Sequence, residues 1–280
     1  MKLQGSHSPQ SCPCCSSDRL QCQHIYQERP TGETDFKFDD YHRELWRCQI
    51  CDHFMSTTSM NLTTLYAADY VDKTYGGSDG VRQAYERILG LDTDKSDNVG
   101  RVDRIVQFAN KHFENNANLK VLDIGSGLGV FLGRVRQITN WICTALEPDR
   151  RLAEHAEQAL DVEAIREDYR KLEWDRKFDI ICLNKVLEHI EEPLDLLERC
   201  RRDLAPGGFL YLELPDGEAA MEDVDGYGRE EFFVEHHHIF SMASMQLLIS
   251  KAGFLSIGLE RLREPSTKYT LRSFLMQKVQ

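Results

Sequence analysis

Three glycines at every second position follow a short apolar run near the middle of the chain. The run Val121–Ile124 leads into Gly125, Gly127 and Gly129, and an apolar, helix-compatible stretch begins at Val130. This order predicts a buried strand, a tight turn and the N-terminus of a helix. Glycines permit positive φ and a close approach to the backbone, and a helix N-terminus presents unpaired amide groups. The stretch therefore predicts a cofactor-binding turn.

Two acidic residues bear on which cofactor this turn fits. A dinucleotide fingerprint has a third glycine where this chain has Val130. Glu147 ends the next apolar run, 22 residues after Gly125, where its carboxylate can bind the hydroxyls of a ribose in either NAD or S-adenosylmethionine. The stretch V-L-D-I-G-S-G-L-G resembles the first motif of class I S-adenosylmethionine-dependent methyltransferases, in which the acid, here Asp123, supports the turn near the methionine moiety. The resemblance implies S-adenosylmethionine, with a dinucleotide as the alternative.

The composition narrows the classes of partner. The chain of 280 residues has 34 Lys and Arg against 46 Asp and Glu, a net charge of −12. This balance disfavours non-specific binding to a nucleic-acid backbone and permits a small-molecule substrate. No apolar run approaches membrane-spanning length, and the first residues lack a signal-peptide core. We therefore expect a soluble, cytoplasmic protein.

Six of the nine cysteines lie within the first 51 residues, and four of them form two C-x-x-C pairs. Two such turns supply a closed set of four thiolates for a structural Zn²⁺ ion. The alternatives are that Cys14 or Cys22 replaces a ligand, or that the thiols bind no metal. The predicted ligands are Cys12, Cys15, Cys48 and Cys51.

Strand and helix patterns alternate through the rest of the chain and end in two β-prone runs, Phe254 to Leu262 and Tyr269 to Met276. This order predicts a doubly wound α/β fold, a Rossmann-like sheet of seven strands closed by a hairpin. The expected domains are a zinc-binding module at 1–60, a linker or lid at 61–97, and the α/β domain at 98–280. The linker includes a tyrosine-rich stretch, Leu65 to Gly77.

Further candidates follow the strands, where ligands bind in such folds. Asp168 lies where this fold offers an acid to the adenine amino group. The stretch that begins at Asn184 resembles the motif after the fourth strand of this superfamily, which implies that Asn184 and Lys185 lie beside the methionine end of the cofactor. Glu188 and His189 are expected to shape and cap the next helix.

Three consecutive histidines lie between the fifth strand and a later helix. Successive side chains of an extended chain point to opposite sides, so a metal site made by all three is disfavoured. Methyl transfer needs an aligned nucleophile and, for a hydroxyl or carbon acid, removal of a proton, which suits histidine. We therefore predict His236 as the general base, oriented by Glu235.

The two cysteine pairs, the glycine motif and E-H-x-x-x-F-S together resemble zinc-containing sugar C-methyltransferases and related polysaccharide-cluster methyltransferases. The resemblance implies catalytic roles for Glu235 and His236 and a saccharide-related small molecule as substrate. Phe233 and Ile239 stand where this family carries tyrosines, so an O- or N-methyl acceptor is at least as well supported. The alternatives are a zinc-ribbon-guided methyltransferase of RNA or protein and a non-catalytic adenosylmethionine-binding protein.

Overall fold

The computed structural model describes residues 8–38, 40–62 and 75–278. The strands are β1 (Leu20–Tyr26), β2 (Arg43–Cys48), β3 (Phe54–Thr58), β4 (Lys120–Ile124), β5 (Ile142–Leu146), β6 (Glu163–Ile165), β7 (Phe178–Asn184), β8 (Leu204–Pro215), β9 (His238–Ile239), β10 (Phe254–Arg263) and β11 (Tyr269–Gln277). The α-helices are α1 (Ser78–Leu89), α2 (Asp97–His112), α3 (Val130–Ile138), α4 (Arg150–Leu160), α5 (Pro193–Asp203), α6 (Gly217–Glu222) and α7 (Met242–Lys251).

The larger sheet has seven strands in the order β10-β11-β8-β7-β4-β5-β6. Strands β6, β5, β4, β7 and β8 run parallel to their neighbours, and β11 and β10 add an antiparallel hairpin at one edge. The central strands β4 and β7 are buried almost throughout, as expected when helices cover both faces. The predicted doubly wound sheet with a terminal hairpin is confirmed.

Local sequence signals account for most helix boundaries. The side chain of Ser96 accepts a hydrogen bond from Val99 and begins α2, and Ser241 forms a capping box that begins α7. Helix α5 ends at Asp203, and Pro206, Gly207 and Gly208 follow it within β8. These three residues lie at a shift in the pairing of β8 with β7, where the chain can bulge without breaking the sheet.

A second sheet contains four antiparallel strands in the order β1-β2-β3-β9. Three strands come from the N-terminal region, whereas β9 belongs to the histidine-rich segment far along the chain. Phe54 pairs with Ile239 and Met55 with His238. The buried side chains of Leu45, Phe54 and Ile239 share one apolar cluster. The N-terminal sheet therefore holds the backbone of the segment predicted to carry catalysis.

The segment predicted as a linker or lid is partly helical. Helix α1 packs Val81 against Leu128 and Leu152, close to the glycine turn. Most of the tyrosine-rich stretch, residues 65–74, lies outside the described residues. Within 8–38, 40–62 and 75–278, no helix combines the length and apolar character that crossing a membrane requires.

Candidate functional site

The glycine turn between β4 and α3 is held from two sides. Gly125, Gly127 and Gly129 have φ values of 64°, 52° and 73°, in the left-handed region that favours glycine. The amide of Gly125 donates to the carbonyl of Leu146 at 2.8 Å, which ties the turn to the end of β5. A Cβ on Gly125 would lie 2.9 Å from a methyl carbon of Val186, so a side chain there would displace the loop after β7. The turn therefore has a fixed backbone that a ligand can approach closely.

Glu147 lies at the end of β5 and contacts the same turn. Its Oε2 accepts a hydrogen bond from the amide of Gly127 at 2.9 Å, and its Oε1 accepts one from the amide of Asp149 at 3.0 Å. Burial raises the pKa of this carboxyl group, and the two amide bonds oppose that rise. The carboxylate is thus brought beside the glycines, while its contact with a ribose stays a prediction.

Asp123 and Asn184 meet across the ends of β4 and β7. The Asn184 side-chain amide donates to Oδ1 of Asp123 at 2.9 Å. Burial raises the pKa of Asp123 to about 7, although the bond from Asn184 opposes the shift. This bond joins the ends of β4 and β7, from which the glycine turn and the loop after β7 begin, while the contacts of both residues with a cofactor stay predictions.

Lys185 follows Asn184 in the loop after β7 and contacts β11. Its φ is 61°, which is uncommon for a residue with a side chain, and its Nζ donates to Oγ1 of Thr270 on β11 at 2.8 Å. Burial lowers the pKa of the ammonium group. The place of Lys185 beside the methionine end of the cofactor stays a prediction.

Asp168 begins a short 3₁₀ turn, Tyr169–Lys171, after β6. Its carboxylate accepts a hydrogen bond from the Arg170 amide at 3.0 Å and pairs with the Arg170 guanidinium at 2.7 Å. The hydrogen bond from Arg170 lowers the pKa of this carboxyl group. Asp168 therefore acts as a turn cap in this structure, and its contact with adenine stays a prediction.

His236 is oriented by a backbone carbonyl. Its Nδ1 lies 2.8 Å from the carbonyl oxygen of Glu231, so Nδ1 carries the proton and Nε2 the lone pair. The carbonyl of Glu231 therefore orients this ring, and the orienting role of Glu235 stays a prediction. Burial lowers the pKa of the imidazole well below its ordinary value. A neutral imidazole with a defined tautomer results.

Glu188 and His189 lie beside His236 rather than capping the next helix, where Glu192 occupies the N-cap position of α5. Nδ1 of His189 donates to the carbonyl of Glu235 at 2.9 Å. The ring centroids of His189 and His236 are 4.8 Å apart. One ligand-capable atom from each of Glu188, His189 and His236 lies within 4.8 Å of the other two. The sequence interpretation missed this cluster, although the adjacent Glu and His were a visible signal.

The other two histidines have different partners. The backbone amide of His237 donates to the carbonyl of Glu188 at 2.9 Å. The imidazole of His238 lies 3.1 Å from that of His53 and bonds through Nε2 to the carbonyl of Glu191 at 3.0 Å. The sequence prediction that the three consecutive histidines do not form one site agrees with these contacts.

The four cysteines predicted as metal ligands lie together in the N-terminal region. The Sγ atoms of Cys12 and Cys51 are 3.5 Å apart, as are those of Cys15 and Cys48, and all four sulfurs lie within 4.8 Å of one another. These separations fit a single tetrahedral ion with Zn–S bonds of about 2.3 Å. Cys22 instead directs its thiol to the carbonyl of His24.

A buried ion cluster between α2 and β8 was also missed. Arg101 donates to Glu213 at 2.7 Å, and Arg104 pairs with the same carboxylate at 3.2 Å. Burial opposes ionisation of Glu213, yet the charge of Arg101 lowers its pKa to about 2. A glutamate inside the apolar run from Phe209 to Leu214 was the sequence signal for this pair.

Comparison with known proteins gives a family match and fold matches. Residues 96–256 match a family model described as a methyltransferase domain. A ubiquinone biosynthesis O-methyltransferase of Actinobacillus pleuropneumoniae is 30% identical over 125 residues, which are 40% of this chain and 50% of that protein. A cypemycin N-terminal methyltransferase of Streptomyces is 30% identical over 102 residues, or 34% of this chain and 42% of that protein. The chain spans about half the length of the curated relatives it matches.

Solved structures align with a larger share of the chain than these relatives do. Magnesium protoporphyrin IX methyltransferase of Synechocystis PCC 6803, solved with bound SAH, has a TM-score of 0.56 at 16% identity, covering 78% of this chain and all of that one. A SAM-dependent methyltransferase from Aquifex aeolicus has a TM-score of 0.51 at 16% identity, covering 71% of this chain and 98% of that one. These similarities confirm the predicted fold class.

Proposed function

The chain belongs to the methyltransferase-domain family, and on that premise we propose that it is an S-adenosylmethionine-dependent methyltransferase that acts on a small molecule. The observation that carries the proposal is the contact of Glu147 with the amide of Gly127 at 2.9 Å. It places a carboxylate for ribose hydroxyls beside a turn of three positive-φ glycines. When bound, the cofactor supplies a methyl group on a sulfonium for in-line displacement.

The cofactor-binding residues in this proposal surround the carboxyl ends of β4, β5 and β7. The glycine turn approaches the methionine portion, and Glu147 accepts hydrogen bonds from the ribose. Asp123 and Asn184 keep the turn in place through their mutual bond. Asp168, released from part of its contact with Arg170, binds the adenine amino group. The proposed set is Asp123, Gly125, Gly127, Gly129, Glu147, Asp168 and Asn184.

The proposed catalytic segment is Glu235-His236. The neutral imidazole of His236 presents Nε2, since its Nδ1 donates to Glu231. In this role it assists ionisation of the acceptor, and Glu235 supports it through the bond from His189 to its carbonyl. The fully buried Glu188 adds negative charge nearby. These contacts favour an acceptor that must lose a proton, such as a hydroxyl.

The proposed substrate is a saccharide or a related metabolite, with oxygen or nitrogen as the accepting atom. Support comes from the E-H-x-x-x-F-S segment, together with Phe233 and Ile239 at positions where the sugar C-methyltransferases carry tyrosines. The net charge of −12 disfavours a nucleic-acid acceptor. The relatives named above include an O-methyltransferase and an N-terminal methyltransferase, so both acceptor atoms belong in the search.

The proposed metal is a structural Zn²⁺ held by Cys12, Cys15, Cys48 and Cys51. Four thiolates complete a tetrahedral shell, so this ion would stabilise the N-terminal module and take no part in methyl transfer. We extend the proposal to the domain division, with the zinc module at 1–60, a connecting segment at 61–97 and the methyltransferase domain at 98–280.

Calorimetric titration of the purified protein with S-adenosylmethionine, and separately with NAD, tests the cofactor. We expect micromolar binding of the first and none of the second. A panel of nucleotide-linked sugars and small hydroxylated or amino metabolites, assayed by release of S-adenosylhomocysteine, then tests the acceptor class. Binding of NAD alone would overturn the proposal, and cofactor binding without turnover on any acceptor would favour the non-catalytic alternative.

A further inference from the structure

A buried carboxylate without a donor lies next to the proposed catalytic segment. The side chain of Glu188 is fully buried, and neither of its oxygens has a hydrogen-bond partner among the described residues. An isolated buried carboxylate is unfavourable unless it is neutral or compensated by a cation. The ammonium of Lys185 contributes favourable charge to Glu188, but its hydrogen bond goes to Thr270. Glu188 therefore has no direct hydrogen-bond partner among the described residues, and a bound cation would supply one.

The imidazoles of His189 and His236 lie close to this carboxylate, and each has a defined tautomer. His189 and His236 each donate Nδ1–H to a backbone carbonyl, of Glu235 and Glu231 respectively, at 2.9 and 2.8 Å. Metal-ligating histidines are typically fixed by such a bond, which directs the lone pair of Nε2 to the ion. The three side chains already place one ligand atom each within 4.8 Å of the others.

We propose that Glu188, His189 and His236 bind a divalent first-row transition ion, with Mn²⁺ or Zn²⁺ as the chemical class. Two imidazoles and one carboxylate suit such ions better than Mg²⁺ or Ca²⁺, which prefer all-oxygen shells. Three protein ligands leave coordination positions open, unlike the four cysteines. In this arrangement His236 is a ligand, and the ion takes over the acid–base role given to the free imidazole.

The position of the cluster connects it to methyl transfer, a link that rests on the proposed function. Val186, two residues before Glu188, lies against Gly125, since a Cβ on Gly125 would be 2.9 Å from a methyl carbon of Val186. An acceptor hydroxyl in an open coordination position would have a lowered pKa and would lose its proton to solvent. Its oxygen then forms the bond to the methyl carbon, while the carbon–sulfur bond of the sulfonium breaks and its electron pair stays on sulfur.

Titration of the full-length protein with Mn²⁺, followed by electron paramagnetic resonance, tests this site on samples that hold one Zn²⁺ per chain by elemental analysis, so that zinc fills the cysteine cluster alone. Mn²⁺ is suited because thiolates select softer ions and the cysteine cluster is expected to hold zinc. We expect one Mn²⁺ per chain, and a loss of affinity of at least about tenfold in both Glu188→Gln and His189→Gln. His237→Gln is the matched control, because only the backbone of His237 bonds to Glu188.

The same preparations are titrated with S-adenosylmethionine to separate the two proposals. Glu188→Gln removes a buried charge that has no hydrogen-bond partner among the described residues, so this variant is expected to fold and to melt at a higher temperature than the metal-free wild type. Equal Mn²⁺ affinity in wild type and Glu188→Gln, or no Mn²⁺ binding by a protein that binds S-adenosylmethionine, would refute the ion site alone. Failure to bind S-adenosylmethionine would instead refute the proposed function.

Discussion

Glu33 accepts a hydrogen bond from the backbone amide of Val234 at 2.7 Å, across 201 residues of sequence. Its other carboxylate oxygen accepts a bond from the hydroxyl of Tyr41 at 2.8 Å, and the buried guanidinium of Arg43 lies 3.8 Å away. The N-terminal region thus holds the segment that carries His236 by a side chain as well as by the pairing of β3 with β9. We interpret this region as a scaffold for that segment.

Replacement of Glu33 tests the scaffold. Glu33→Ala leaves the Val234 amide without its acceptor and the buried Arg43 guanidinium without its counter-charge, so we expect the free energy of unfolding to fall by about 3–5 kcal/mol. We also expect a lower kcat with little change in cofactor affinity, because the loss is local to the His236 segment. Urea unfolding, turnover and calorimetry provide the three measurements. Asp35→Ala, at an exposed ion pair with Lys37, is the control and should leave the free energy of unfolding unchanged within error.

Metal removal should disturb the same region. Ser241 at the start of α7 donates to the carbonyl of Cys51 at 2.5 Å, so loss of the cysteine site would affect a helix of the larger domain. We expect Cys15→Ser to lose its zinc and to unfold at lower urea concentration than the wild type. Cys22→Ser, which lies outside the cluster, should retain one zinc per chain. Equal zinc content in both variants, measured by elemental analysis, would contradict the ligand assignment.

The sequence predicted those parts of the structure that depend on local signals. The glycine turn, Glu147 and the cap at Ser241 follow from short patterns, so they could be placed before the fold was seen. The cluster of Glu188, His189 and His236 could not, because it brings the adjacent Glu188 and His189 to His236, at least 47 positions later, and backbone carbonyls that carry no sequence signature fix the two imidazoles. Short-range patterns place a residue at a strand end but do not specify its partner.

Lys185 shows a second limit of local patterns. Its position after β7 matched a family motif, yet its side chain binds Thr270 on a strand 85 residues later. The left-handed φ of Lys185 is a conformation that glycine, Asn or Asp would signal in a sequence, whereas lysine does not. Its ammonium group receives favourable charge from the buried Glu188 and Glu213, which the tertiary fold brings near it.

Replacement of Glu147 should weaken cofactor binding. Glu147→Gln keeps an oxygen for the Gly127 amide but removes the charge that favours two ribose hydroxyls, so we expect S-adenosylmethionine affinity to fall at least about tenfold, or ~1.4 kcal/mol. Calorimetric titration gives the value. Glu154→Gln on the exposed side of α4 is the control, since its partner Arg150 is also exposed. Unchanged affinity in Glu147→Gln would exclude Glu147 from the cofactor site.

Glu213 gives the fold a defined response to acid. Its carboxylate is buried, but the charge of Arg101 lowers its pKa from 4.5 to about 2. Because the pKa of Glu213 is lower in the folded state, its contribution to the free energy of unfolding is complete above pH 4.5. This contribution is lost as the pH falls toward 2. This difference corresponds to about 3 kcal/mol of unfolding free energy.

Glu213→Gln should therefore make the free energy of unfolding less dependent on pH below pH 4.5. At pH 7 we expect the variant to be less stable by about 3–5 kcal/mol, because Arg101 and Arg104 keep their charges without the carboxylate. Between pH 4.5 and 2 the gap between wild type and variant should shrink, since the wild type alone loses this interaction. Urea unfolding at a series of pH values measures the gap, with Glu157→Gln on the surface of α4 as control. A gap that stays constant across this window would mean that Glu213 is not the buried anion of the cluster.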